Sequence, residues 1–206
     1  MSAARKRDDS VRRSPGRKQP KRRILIVCEG RLTEPHYFRR FQHATRNPLV
    51  HVEVAKETGV PLTVVQIAVQ HKEKAEQQAR RQHDDFLRWD EVWAVFDIDE
   101  HPHVFEALRL AEREAIHTAV SDPCFELWAL LHFEDQRAHI ERKQLRLRLK
   151  RHMPDYDKEL DFDRMHPHYD NAVARATHLN EELSTRGRNP STQVFLLTES
   201  IARNGH

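Results

Sequence analysis

Three acidic residues stand where a chain can do metal chemistry: Glu29, Asp97 and Asp99. Glu29 follows Ile24-Leu25-Ile26-Val27-Cys28, and Asp97-Ile98-Asp99 follows Val92-Trp93-Ala94-Val95-Phe96. Each apolar run reads as a strand buried on both faces, and open α/β sheets place their sites at the carboxyl ends of such strands. Asp97 and Asp99 flank a single residue, so both carboxylates can turn toward one pocket. Hard divalent cations such as Mg2+ take oxygen ligands and keep several waters, so a few carboxylates suffice. With the two strands side by side, Glu29 reaches the same ion, which could polarise a phosphodiester and position an attacking water. A plainer role stays open, because strand-end acids also cap helices and solvate loops.

Two further residues are candidates for the same site. Glu126 lies on an otherwise apolar helical stretch, Phe125–Phe133, and a buried Glu there must be hydrogen-bonded, paired or metal-bound. Capping or pairing is its structural alternative. His101 directly follows the acids and could contact a phosphate or shuttle a proton. The other histidines, including His103 and the His166/His168 pair, come without the Cys-rich partner motif or His-Glu-x-x-His helix of zinc sites and read as surface residues. Lys143, Arg146, Lys150 and Arg151 could contact a phosphate backbone, with a merely solvated helix as the equal alternative. There is no nucleophile elbow, no Gly-Lys-Ser/Thr phosphate loop and no Gly-rich dinucleotide fingerprint. ATP hydrolysis by this chain alone is not expected.

Positioning those side chains calls for alternating strands and helices. After the first strand, Thr33 or Glu34 starts a helix with Pro35 in its first turn, and Tyr37, Phe38 and Phe41 give it an apolar face. Val50–Ala55 alternates as a second strand, and Pro61 opens a long helix to about Asp85. The strand 91–96 leads into the acidic turn. A helix over Val104–Glu114 follows, with Phe105, Leu108 and Ala111 inward. Ala115–Val120 is a fourth strand, and Ser121-Asp122-Pro123-Cys124 a turn before the buried helix. The alternation predicts α/β architecture with a mainly parallel sheet flanked by helices. Beyond Glu134, Leu145 and Leu149 share a helical face within a cationic stretch, 172–183 is amphipathic, 187–192 is a loop and cap, and 193–201 is a final helix. Three segments are expected: a disordered basic tail at 1–22, an α/β core at 23–135, and a mostly helical extension at 136–206.

The chain of 206 residues fits one domain, with or without an appended subdomain. Its net charge of +3 is unevenly spread: residues 1–23 hold ten Lys/Arg against Asp8 and Asp9, a net of +8, which leaves −5 for the remainder. A basic arm of this kind could attract nucleic acid or act only as a solubilising tail. Cys28 and Cys124 lie in apolar contexts and read as small buried residues. No apolar run approaches the roughly 20 residues of a membrane span, and the N-terminus stays polar, so a cytoplasmic location is expected.

Three blocks together resemble the RloB-like family found beside bacterial restriction and phage-defence loci. They are Cys28-Glu29-Gly30 with Thr33-Glu34-Pro35 and Tyr37-Phe38, then Phe96-Asp97-Ile98-Asp99-Glu100-His101, then Ser121-Asp122-Pro123-Cys124-Phe125-Glu126-Leu127-Trp128 with His132-Phe133. Asn189-Pro190-Ser191-Thr192 also fits. The first two blocks resemble the Toprim fold of topoisomerases, primases and certain nucleases. The resemblance implies a Toprim-like core in which Glu29 is general acid/base and Asp97 and Asp99 hold Mg2+ (or Mn2+), with Glu34 able to fill the place of a further metal-site acid. It implies a metal-dependent nuclease in anti-phage defence of the abortive-infection type, acting on DNA or RNA, with a partner protein from the same locus. The competing expectation is a non-catalytic module that binds nucleic acid or a partner and retains the fold.

Overall fold

The computed structural model describes residues 21–98, 103–183 and 189–203. Asp99, His101 and the basic tail before residue 21 lie outside them, so the expectations placed there are neither met nor corrected. Strand β1 (Arg22–Cys28) is buried from Ile24 onward. Helix α1 (Thr33–Thr45) carries Pro35 in its first turn, where a missing N–H removes no helical bond, and buries Tyr37, Phe38 and Phe41. Strand β2 (Val50–Val54) alternates inward and outward. Helix α2 (Pro61–Gln82) starts on a proline and ends where His83 adopts a left-handed conformation. Strand β3 (Glu91–Asp97) is followed by helix α3 (Val104–Arg113), strand β4 (His117–Asp122) and helix α4 (Glu126–Leu131), all six of whose residues are buried. Helices α5 (Arg142–His152), α6 (Phe162–Met165) and α7 (Tyr169–Leu183), strand β5 (Ser191–Thr192) and helix α8 (Val194–Ala202) complete the chain.

The five strands form one sheet in the order β2-β1-β3-β4-β5, parallel except for β5. Successive residues of a strand face opposite sides, so the alternation sorts the core into two layers. Leu25, Val27, Val92, Ala94 and Phe96 pack against α2 and α3. Ile24, Ile26, Trp93 and Val95 face the other side, under α1, α4, α5, α7 and α8. Burial on both faces explains why β1 and β3 lack a polar alternation. The α/β architecture with a mostly parallel, helix-flanked sheet is as the sequence predicts.

Three local expectations need correction. The fourth strand is shifted two residues toward the C-terminus: Ala115 turns with a positive φ and Ile116 N–H bonds back to Ala111, so pairing begins at His117. It runs on through Asp122 because β5 supplies antiparallel partners, Ser121 to Thr192 and Asp122 to Ser191. The stretch 191–192 is therefore an edge strand rather than a loop. Phe105 does not point inward but is 80% exposed, because the buried face of α3 is set by Val104, Ala107 and Ala111, at i, i+3 and i+7.

Asn189 fastens the sheet edge to the loop before α5, since its side-chain amide both accepts from and donates to the backbone of Ile140, each at 2.9 Å. Ser121 and Thr192 share a buried hydroxyl contact of 2.9 Å, so the Asn189–Thr192 motif is accounted for by structure. No helix among the described residues is long and apolar enough to cross a membrane.

Candidate functional site

The parallel register brings the ends of β1 and β3 together. Cys28 pairs with Val95, and the next residue, Glu29, donates its N–H to the Val95 carbonyl at 2.9 Å. Its carboxylate then reaches across the strand end, where Oε2 accepts the Asp97 N–H at 3.0 Å. Glu34, in the first turn of α1, folds back so that Oε1 accepts the Gly30 N–H at 3.2 Å. A Cβ at Gly30 would lie 2.3 Å from Glu34 Oε2, so any side chain there would push the Glu34 carboxylate out of this position. Glu126 enters from the first turn of α4, the element that follows β4. These four acids line one cleft of about 590 Å3 with Thr58, Gly59, Arg142, Arg146 and Lys158.

Its opposite wall is cationic and comes from the C-terminal part of the chain. Arg142 donates through Nη2 to Asp97 Oδ2 at 2.9 Å, and Arg146 through Nε to Glu126 Oε1 at 2.9 Å. The two arginines lie four residues apart on α5 and so share a helix face. Tyr156 adds its hydroxyl to Glu126 Oε1, also at 2.9 Å. Thr33 ties the cleft's entrance to the 158 turn by donating to the Lys158 carbonyl at 2.7 Å.

The electrostatics of the acids differ. Burial drives the Asp97 carboxyl well above the ordinary aspartate range, and Glu34, Glu29 and Glu126 push the same way against the opposing Arg142. Glu34 is raised by burial first, with Glu126 and Glu29 adding to it. Burial also opposes ionisation of Glu126, yet hydrogen bonds from the Cys124 thiol, a backbone N–H and Tyr156, together with Arg146, hold it below the usual range. Burial raises the Cys124 thiol, and the neighbouring Glu126 and Asp97 reinforce the shift. One half of the cluster is thus compensated and the other is under electrostatic pressure.

A group of ligand-type atoms emerges from this packing. One carboxylate oxygen each from Asp97 and Glu126 and the Cys124 sulfur lie within 4.8 Å of one another, all buried, and could hold a metal ion. Carboxylate oxygens suit hard divalent cations, and a cation would relieve the crowding that raises Asp97 and Glu34. The two carboxylates of this group suit such an ion, whereas the Cys124 sulfur is a soft donor that does not.

Of the residues expected in the site, Glu29, Glu34, Asp97 and Glu126 meet in one cleft, and Arg146 joins them as the partner of Glu126. Lys143 and Lys150 line an adjoining hollow on α5 that shares Arg142 and Arg146 with the cleft. Arg151 is exposed on the same helix but lines neither hollow. Arg142, Tyr156, Lys158 and Cys124 were not singled out for the site by the sequence. The i, i+4 spacing of Arg142 and Arg146 was a usable signal, whereas nothing local marks Tyr156 or Lys158.

Sheet and cleft together define an α/β protein with an acid-lined site at the carboxyl edge of a mostly parallel sheet. The chain belongs to the RloB-like protein family, whose pattern matches residues 24–201, from within β1 to within α8. Searches of curated proteins and of solved structures gave no match.

Proposed function

We propose that the protein is a Mg2+- or Mn2+-dependent phosphoryl-transfer enzyme, a nuclease acting in bacterial anti-phage defence of the abortive-infection type. The observation that carries this reading is the convergence of Glu29, Glu34, Asp97 and Glu126 on one cleft at the sheet's carboxyl edge, faced by Arg142 and Arg146. Adjacent parallel strands ending in Glu29 and Asp97 fit the Toprim-like core that the residue blocks imply. Glu29, Glu34, Asp97 and Asp99 would hold the ion, which when bound polarises a phosphodiester oxygen and acidifies coordinated water.

Within that frame Glu29 takes a proton from the attacking water or returns one to the leaving oxygen. Its carboxylate is fixed for this by the Asp97 N–H. Arg142 and Arg146 stabilise charge that builds on the phosphoryl oxygens. Glu126 positions Arg146 and Tyr156 through its two hydrogen bonds. His101 is assigned a phosphate contact or proton shuttle next to the acids. A partner protein from the same locus is the proposed trigger, and the cytoplasm the proposed compartment.

Incubating the protein with single- and double-stranded DNA, RNA and tRNA in Mg2+ or Mn2+ tests the reading. Cleavage lost in both Asp97→Ala and Glu29→Gln supports it; cleavage that survives both changes defeats it. The Arg142–Asp97 and Arg146–Glu126 pairs favour one second reading, a self-neutralised cleft in a non-catalytic binding module. Salt-sensitive nucleic-acid binding without cleavage under any of these conditions would select it.

A further inference from the structure

Helix α5 is unusual in composition. Six of its eleven residues are Lys or Arg and none is acidic, although the chain beyond residue 23 is net negative. Only Leu145 and Leu149 are buried, which fixes one face to the core and turns the rest outward. Lys143, Arg146, Leu147 and Lys150 follow the i, i+3, i+4, i+7 spacing and so form one continuous stripe. With Arg142 they line a hollow of about 460 Å3 that adjoins the acid cleft through Arg142 and Arg146. The arginines at the junction are engaged with carboxylates, whereas Lys143 and Lys150 make no ion pair or hydrogen bond among the described residues. Between those two lysines, Leu147 is 58% exposed.

We propose that α5 is the track for a single-stranded nucleic acid, with Lys143 and Lys150 on phosphates either side of the one drawn into the cleft and Leu147 under an unpaired base. The inference rests on reading the cleft as a phosphodiester site. Charge complementarity identifies the backbone, since a run of cations without acids is matched by repeating phosphates. Seven residues of helix separate the lysines, about 10 Å at 1.5 Å per residue, which spans about two or three phosphates at 3.4 Å or more apiece. Two features choose the single strand over the duplex. Glu126 and Glu34 are buried in the cleft and the Asp97 side chain is only 13% exposed, so a phosphate must be drawn in from the surface, and a lone strand bends to do this without breaking base pairs. Leu147 offers an apolar platform inside the stripe, which an unpaired base can cover but a paired backbone cannot. Leu32 and Val60, also exposed, give the cleft mouth a matching apolar lip.

Equilibrium binding of the full chain to short fluorescent oligo(dT), oligo(U) and a blunt DNA duplex of equal length, across a salt series in EDTA and in Mg2+, tests this. The combined Lys143→Ala and Lys150→Ala change should flatten the log–log salt slope for the single strands by about 1.4, at about 0.7 per lost phosphate contact. Leu147→Ala should weaken oligo(dT) binding about five-fold and leave that slope alone, as loss of an apolar contact does. Arg151→Ala, on the same helix but off the stripe, should change neither. A slope unmoved by the lysine changes, an equal slope change from Arg151→Ala, an unchanged affinity with Leu147→Ala, or duplex binding as tight as single-strand binding would each overturn the track. Binding is read apart from cleavage, so a wild-type protein that binds in this pattern but never cuts removes the nuclease reading and keeps the track.

Discussion

The two ends of β3 carry acids in opposite circumstances. Glu91 opens the strand and is surrounded by donors: Trp93 Nε1 at 2.8 Å, Ser200 Oγ at 2.6 Å and the Arg22 guanidinium at 3.6 Å. Burial works against its charge, but those partners win and hold it below the usual carboxylate range. Asp97 closes the same strand and is pushed far the other way, by burial and then by three neighbouring carboxylates, with Arg142 as the counterweight. The fold therefore satisfies an acid where the acid serves to join β1, β3 and α8. At the carboxyl edge it gathers acids that repel one another. Electrostatic pressure of that kind, maintained in a cleft, is characteristic of sites kept for chemistry rather than for stability.

The largest expected contrast between the two ends is in activity. Asp97→Ala should lower Mg2+-dependent cleavage by about a thousandfold or more, because it removes a proposed ion ligand, whereas Glu91→Gln should stay within about two-fold of wild type. Comparable losses in both would erase the distinction. Ligand linkage comes next: Mg2+ at about a hundred times its dissociation constant should stabilise wild type and Glu91→Gln by about 2.7 kcal/mol in thermal unfolding, and Asp97→Asn by far less. In metal-free buffer the signs should oppose. Glu91→Gln is expected to lose about 1 kcal/mol with its charge-assisted hydrogen bonds, and Asp97→Asn to gain about 1 kcal/mol as repulsion is relieved. A clear loss in Asp97→Asn would show that its pairing with Arg142 is structural.

Acidity should separate the ends once more, by the smallest margin. The folded pKa of Glu91 is depressed, so its contribution is present above about pH 4.5 and is lost as pH falls through the folded value. Asp97 has a raised folded pKa, so the folded state binds the proton more tightly and its contribution is lost as pH rises above the ordinary aspartate value near 3.8. Urea unfolding between pH 3 and pH 7 (a range of about four pH units) should show a shallower acid limb in Glu91→Gln and a flatter decline with rising pH in Asp97→Asn. Identical pH profiles for the two variants would contradict the contrast.

Residues 24–28 and 92–96 announced their strands because burial on both faces leaves a continuous apolar run. An acid directly after each run was enough to place Glu29 and Asp97 at one edge, since parallel neighbours end at the same level. Glu126 stood out as the charged residue in an apolar helix. Arg146 was legible as a phosphate contact, but the pairings of the cationic wall were hidden: Arg142 meets Asp97 across 45 residues and Tyr156 meets Glu126 across 30, and such pairings leave no local periodicity. Leu145, Leu147 and Leu149 alternate as a strand would, yet only the first and last are buried, four residues apart, so the helix prevails. A two-residue strand such as β5 is too short to carry any pattern, and its position depends on Ser121 and Asp122 accepting it.

Metal-dependent action on a phosphodiester is the activity proposed for the carboxyl edge of β3. Its most direct measurement is single-turnover cleavage of labelled single-stranded DNA and RNA in Mg2+ by wild type, Glu29→Gln, Asp97→Ala and Glu91→Gln, each below its unfolding temperature. Cleavage by wild type and Glu91→Gln, abolished by EDTA and by either change at the carboxyl edge, is the predicted result. Cleavage that persists in Glu29→Gln and Asp97→Ala, or that fails in Glu91→Gln while the protein remains folded, would contradict it.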